Sequence, residues 1–239
     1  MSTIEEAKHI LRRLPIEDRH AIAGWLEGFQ EETEFVGVRD PAIKYVEELP
    51  YMTLEEYLKF EETSPSRHEY VNGYVHAMAG ASMAHNRVVS RFNVAVAKRL
   101  EGGACETFTS DLKLMIDTAS DQKVLYPDIM VSCSREGWRE QWLNNPRLIV
   151  EVQSPSTQHI DRREKAATYR NIPSVEEYVI AAQSRCHLTI FRRAENWVPE
   201  IVSGPEGVAE FRSLDNAVPL TEIYRGVFPE SAADGSGPE

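Results

Sequence analysis

The order of apolar and polar positions divides the chain into a short helical beginning, a long mixed middle and a polar end. Residues 3–14 and 16–30 carry helical spacing. Ile22, Trp25, Leu26 and Phe29 form one apolar stripe, and Pro15 suits the opening turn of the second helix. A hairpin this small cannot bury Trp25 and Phe29 alone, so residues 1–32 are expected to dock, and a homodimer is the expected use. Residues 33–50, with Pro41 and Pro50, read as a linker.

The middle, 51–228, reads as one α/β (α+β) domain. Thr53 and Glu56 have the spacing of a capping box, so a helix should start there. Residues 68–78 alternate around Asn72-Gly73, a strong hairpin signal. A helix follows over 84–101, with Val88, Val89, Phe92, Val96 and Leu100 inward and Gly102-Gly103 as its stop. Strands are expected at 106–116, 124–132, 147–153, 177–182 and 187–193, with a helix over 159–171. This order predicts a mixed β-sheet flanked by helices. Residues 229–239 are small, polar and acidic, and are expected to be a disordered tail.

Composition changes this picture in two ways. The 239 residues carry a formal net charge of −12, located in the flanks. Residues 1–50 are net −5 and residues 194–239 are net −7, so the middle balances. An acidic protein is a poor polyanion binder on average, yet that objection touches only the ends here. No apolar run approaches the ~20 residues of a membrane span, and no signal peptide is visible, so a cytoplasmic, soluble protein is expected. Cys105, Cys133 and Cys186 are three and widely spaced, so they read as buried fillers in a reduced chain, not as a disulfide framework. Trp138 and Trp142 are spaced to share a helical face before Pro146 and read as packing residues.

Two acids stand where acids are costly. Asp128 lies in Val124-Leu125-Tyr126-Pro127-Asp128-Ile129-Met130-Val131, and Glu151 lies in Leu148-Ile149-Val150-Glu151-Val152. A carboxylate in an apolar strand needs a partner or a cation. Two such acids on neighbouring strands have a common explanation in a divalent ion, Mg²⁺ or Mn²⁺, which takes oxygen ligands; the alternative is a pair of structural carboxylates. Lys165 lies on the next helix, one turn from both Asp161 and Tyr169. It can either reach back over the carboxylates or pair with Asp161 at the surface.

Tyr126-Pro127-Asp128, Pro146 to Val152, Ser154-Pro155-Ser156-Thr157, Asp161, Lys165 and Tyr169, with His68 to Gly73 and His85 before them, resemble the Uma-two family. That family is assigned to the PD-(D/E)XK restriction endonuclease-like superfamily. The resemblance spans about residues 51–193. It implies a restriction endonuclease-like core, with Glu69, Asp128 and Glu151 around Mg²⁺ and Lys165 as the basic member. The superfamily's lysine usually sits two positions after the glutamate, where this chain has Gln153, so Lys165 would stand in from the helix. Gln153, Asp111 and His85 are secondary candidates for the site, and Arg87 and Arg91 for phosphate contacts. The implied activity is Mg²⁺-dependent hydrolysis of phosphodiesters, with DNA as substrate. The rivals are a catalytically inactive binding or regulatory module, favoured by Gln153 and the acidic flanks, and a hydrolase of small phosphorylated molecules.

Overall fold

The computed structural model describes residues 51–228 apart from 79, 110 and 154–159, and in the helix that follows it describes side chains from residue 165 on. The expected hairpin, linker and tail, and the Ser154–Thr157 turn, lie outside these residues. Thirteen strands and four helices are described, in a mixed α+β arrangement.

The chain enters through α1 (Leu54–Thr63), capped by the expected box: the Thr53 side chain accepts from Glu56 N and the Glu56 carboxylate accepts from Thr53 N. Strands β1 (His68–Val71) and β2 (Tyr74–Ala77) pair antiparallel across Asn72 and Gly73, both at positive φ, as the asparagine-glycine pair favours. Ser82 caps α2 (Met83–Leu100), whose inward face is Val88, Val89, Phe92, Ala95 and Val96.

Next comes an antiparallel ribbon that was expected as two unbroken strands. It is cut into β3 (Glu106–Thr109) and β4 (Lys113–Asp117) on one side, and β5 (Gln122–Leu125) and β6 (Ile129–Ser132) on the other. Pro127 supplies the reason. It has no N–H for the ladder, so pairing stops at residues 126–128. The register also slips there: from Thr109↔Ile129 to Leu114↔Leu125 one strand uses five steps and the other four, the count of a β-bulge. The ribbon thereby passes from one sheet into another.

The larger sheet also contains β8 (Leu148–Gln153), β9 (Glu177–Ala182), β10 (His187–Arg192) and β11 (Pro199–Ser203), in the order β11-β10-β9-β8-β6-β3. β8 and β9 run parallel, joined through α3 (Ile160–Asn171). The smaller sheet has the order β2-β1-β5-β4-β7, where β7 is Trp142–Leu143. A last hairpin, β12 (Val208–Phe211) and β13 (Asn216–Pro219), leads to the one-turn helix α4 (Leu220–Ile223). The expected sheet ended at residue 193. β11 extends it, and Ala209, Phe211 and Val218 of the hairpin complete the core beneath α2.

The alternation of β8 places the site. Leu148, Val150 and Val152 belong to the core that contains α2, whereas Ile149 belongs to the core that contains Ala166, Tyr169 and Ile172 of α3. Glu151 follows Ile149 by two and so points to the α3 face.

Two expectations need correction. Cys105 and Cys133 form a disulfide although they are 28 residues apart. They flank the Glu106↔Ser132 pair, so the ladder itself brings them opposite each other. Cys186 stands outside that bond and is half-buried. Trp138 and Trp142 share no helical face: residues 135–137 make a single tight turn, and Trp142 is in β7. Their reading as packing residues holds for Trp138, which meets the Phe108 ring edge-on at 5.1 Å and donates to Ser132 Oγ at 2.8 Å.

Candidate nuclease site

Four elements deliver charged side chains to one place at the ribbon's break. β1 brings Glu69, the Tyr126-Pro127-Asp128 link brings Asp128, β8 brings Glu151 and α3 brings Lys165. Lys165 Nζ lies 2.9 Å from Glu69 Oε1 and 3.6 Å from Glu151 Oε1. Tyr169, one turn along α3, donates to Glu151 Oε1 at 2.6 Å. His85, in the first turn of α2, has Nε2 3.1 Å from Asp128 Oδ2. The Lys165, Glu69, Glu151, Asp128 and His85 side chains are all less than one-fifth exposed.

Asp128 stands where the ladder gives out. β6 pairs with β8 only as far as Ile129↔Val150, and beyond that rung the Val152 N–H donates to Asp128 Oδ2 at 2.7 Å. The carboxylate thus accepts where the bend has ended the main-chain ladder. The Tyr126 N–H makes a longer contact, 3.4 Å, to Glu69 Oε1.

These bonds share one property. The contacts to Glu69 fall on Oε1, those to Asp128 on Oδ2 and those to Glu151 on Oε1. One oxygen of each carboxylate is engaged by the described residues, and the second lies outside those bonds. Among the described side chains, three acids meet one lysine, with His85 beside Asp128. Burial, followed by the nearby Asp128 and Glu69 charges, outweighs Lys165 and Tyr169 and pushes the Glu151 carboxyl up to about 7. The Tyr169 phenol is pushed far upward by burial and by Glu151. Burial opposes the charged form of His85, but its bond to Asp128 and the negative charge around it raise its pKa on balance. His85 Nδ1 is buried without a hydrogen-bond partner among the described residues.

Among the described residues no group of three His, Cys, Asp or Glu side chains closes into a metal cage. Lys165 is seated between Glu69 and Glu151. The donor set nonetheless suits a hard divalent ion: oxygen donors in negative excess, with one oxygen of each acid uncommitted. Mg²⁺ commonly takes only one or two protein carboxylates and completes its shell with water and phosphate oxygens.

The remaining candidates divide. Gln153 ends β8 on the Glu151 face and is 9% exposed, and its carbonyl accepts from Gln183 N at 3.2 Å. It supplies no cation. Asp111 is not in a strand; it sits in the break between β3 and β4, is 80% exposed in its side chain and pairs with Arg67. Asp111 falls within the strand expected over 106–116 because the bulge has no local signature on that side. Arg87 and Arg91 are exposed on the outer face of α2, away from its buried stripe. Sequence reasoning passed over Glu61, although its spacing to buried Tyr57 on α1 was a signal. It is a buried acid whose bonds reach His68 and Tyr126.

The family described as "Putative restriction endonuclease", Uma2, matches residues 54–221. Two uncharacterised proteins of Synechocystis sp. are similar: one is 31% identical over 74% of this chain and 94% of its own length, the other 32% over 67% and 92%. A crystal structure of a "putative nuclease belonging to DUF820" from Anabaena variabilis shares the fold, with a TM-score of 0.61 over 74% of this chain and 99% of that one, at 15% identity. With the matched segment holding every carboxylate of the cluster, the chain belongs to the Uma2 family and carries its nuclease-like fold.

Proposed function

We propose that the domain is a divalent-metal-dependent phosphodiesterase acting on DNA. The observation that supports this most is the set of three carboxylates beside Lys165, each engaged through one oxygen among the described residues. Asp128 and Glu151 would hold Mg²⁺ or Mn²⁺, with Glu69 as a third oxygen donor. A bound ion of this kind supplies Lewis acidity, lowering the pKa of water and offsetting phosphate charge.

The chain's own groups do the rest. Lys165, on the rim between Glu69 and Glu151, offers an ammonium to an incoming phosphate oxygen or to the attacking water. Tyr169 fixes the Glu151 carboxylate and His85 with the Val152 N–H fixes Asp128, so neither acid needs to reorganise when substrate arrives. DNA is chosen because the family is described as restriction endonucleases. Arg87 and Arg91 fit sequence-independent backbone contacts, since α2 contains no acid. A homodimer through residues 1–32 would suit cutting two strands, and a monomeric mass in sedimentation would reject it.

Gln153, a neutral residue at the usual lysine position, favours a second reading in which the fold is kept as a silent binding module. One experiment separates them. Mn²⁺ and Mg²⁺ binding is measured by calorimetry for wild type, Asp128→Ala and Glu151→Ala, with plasmid nicking on the same samples. Binding and nicking by wild type, both lost in the variants, is the expected result. A wild type that binds neither ion rejects the phosphodiesterase.

A further inference from the structure

Three buried polar side chains have no place in the chemistry just described: Glu61, His68 and Tyr126. The Glu61 side chain is 3% exposed and that of His68 is 7%. Glu61 is on α1, His68 directly precedes Glu69 on β1, and Tyr126 is two residues before Asp128. The Tyr126 hydroxyl donates to Glu61 Oε1 at 2.8 Å. Glu61 Oε1 also accepts from His68 N at 3.0 Å, and Glu61 Oε2 lies 3.0 Å from His68 Nδ1. The His68 carbonyl accepts from the Tyr57 hydroxyl at 2.6 Å. The residue before Glu69 is therefore gripped at its N–H, its C=O and its ring, and the same acid holds the link that carries Asp128.

The β1–β5 ladder does not extend to this hold. β1 pairs with β5 through Tyr70↔Val124 and Val71↔Lys123, and the pairing ends before Glu69 reaches the link. On the other strand, residues 126–128 lie between β5 and β6 and belong to neither. So Glu69, paired with His76 of β2, lies past the end of the β1–β5 ladder, and Asp128 lies past the end of the β6–β8 ladder. A closed ring of side-chain bonds from α1 joins the two segments where those ladders do not.

We propose that Glu61, His68 and Tyr126 are positioning residues that set the distance between Glu69 and Asp128. They touch neither substrate nor metal. They act by tying β1 and the Tyr126-Pro127-Asp128 link to a single carboxylate on α1. The Tyr126 N–H bond to Glu69 Oε1 closes the ring on the active-site side. What the two acids do rests on the functional reading above; where they stand does not.

The test uses the full chain with Tyr126→Phe and Glu61→Gln, each removing one bond of the ring with little change of shape. Ile190→Val, at a fully buried position in the core beneath α2, is the control for ordinary loss of stability. Two readouts are followed. The first is the metal-free amide resonance of Val152, whose N–H donates to Asp128. The second is Mn²⁺ affinity by calorimetry.

Both ring variants are expected to shift the Val152 resonance and to weaken Mn²⁺ by about 10–100-fold, as substitutions behind metal ligands do. Ile190→Val should lower the melting temperature and leave both readouts in place. If Tyr126→Phe does not fold, Glu61→Gln decides. Ring variants that lose stability yet keep the Val152 resonance, with Mn²⁺ affinity within about twofold of wild type, would overturn the proposal, since a tenfold loss is its minimum. Should wild type bind no Mn²⁺, the phosphodiesterase reading falls, and the Val152 arm alone decides whether the ring positions Asp128.

Discussion

The molecule buries acids in two ways, and the contrast separates structure from chemistry. Glu177, at the start of β9, is 1% exposed, and its partner Arg192 is 2% exposed. Glu177 Oε1 accepts from Arg192 Nε at 2.9 Å and Arg212 N at 3.0 Å, while Oε2 accepts from Ser213 N at 3.2 Å and Ser213 Oγ at 2.5 Å. Both oxygens are fully engaged and the facing charge is a single, well-placed guanidinium. Arg192 in turn donates to the Glu210 carbonyl and pairs with Glu195 and Glu200. This cluster bolts the final hairpin to the larger sheet. At the ribbon's break, by contrast, three acids meet Lys165, and among the described residues each is engaged through one oxygen. Saturation marks a strut; the shorter supply of donors is what the proposed metal site rests on.

The contrast can be broken first at its structural end. Glu177→Ala should destabilise the protein by about 3–5 kcal/mol in urea denaturation, because it breaks a buried ion pair and leaves Arg192 Nε, Arg212 N and Ser213 N without their acceptor. Mn²⁺ affinity of the folded fraction should hold. A loss under about 1 kcal/mol would place Glu177 with the exposed pairs.

Next is Lys165→Met, which removes the ammonium that bridges Glu69 and Glu151. Plasmid nicking should fall about 10²–10³-fold, the size seen when one charge-stabilising donor is removed. Mn²⁺ binding should persist; loss of both together would make Lys165 a structural member of the cluster.

The third test is pH. The Glu151 carboxyl, held at about 7 by burial and by Asp128, favours its protonated form in the folded protein. That contribution is complete below its ordinary value of 4.5 and is lost as pH rises through about 7. Glu151→Gln should therefore stabilise the metal-free protein by about 1–3 kcal/mol at pH 8 and by little at pH 4.5. Equal effects at both pH values would remove the proposed shortage of donors. The smallest effect belongs to Asp111→Ala, which should change stability by less than about 0.5 kcal/mol, as an exposed ion pair would.

Much of this was legible in local signals. The Thr53 capping box, the Asn72-Gly73 turn, α2 and the β8 run each depend on neighbours in the chain, and each formed where expected. The convergence of Glu69, Asp128, Glu151 and Lys165 followed from the motif series and from acids placed in apolar strands. Glu177 escaped the same logic because it opens its strand, where an acid looks like a boundary residue. The break at Pro127 had a local cause that was under-read, since a proline inside a strand argues against a continuous ladder. The Cys105–Cys133 bond could not be read from spacing; it needed the pairing register of β3 with β6. β11 to β13 are short, and only their packing against α2 makes them strands worth forming.

The bend at Pro127 has a consequence for the life of the chain before it is complete. The site's acids leave the ribosome in the order Glu69, Asp128, Glu151, and the lysine follows last. Glu69 rides on the smaller sheet and Glu151 on the larger, so the two meet only after β8 has found β6 and α3 has crossed back toward β9. Until then the three carboxylates either stay apart or repel one another without their ammonium. In a half-made copy of this protein the four side chains therefore cannot yet stand together, and the cluster closes only once residue 165 has been made.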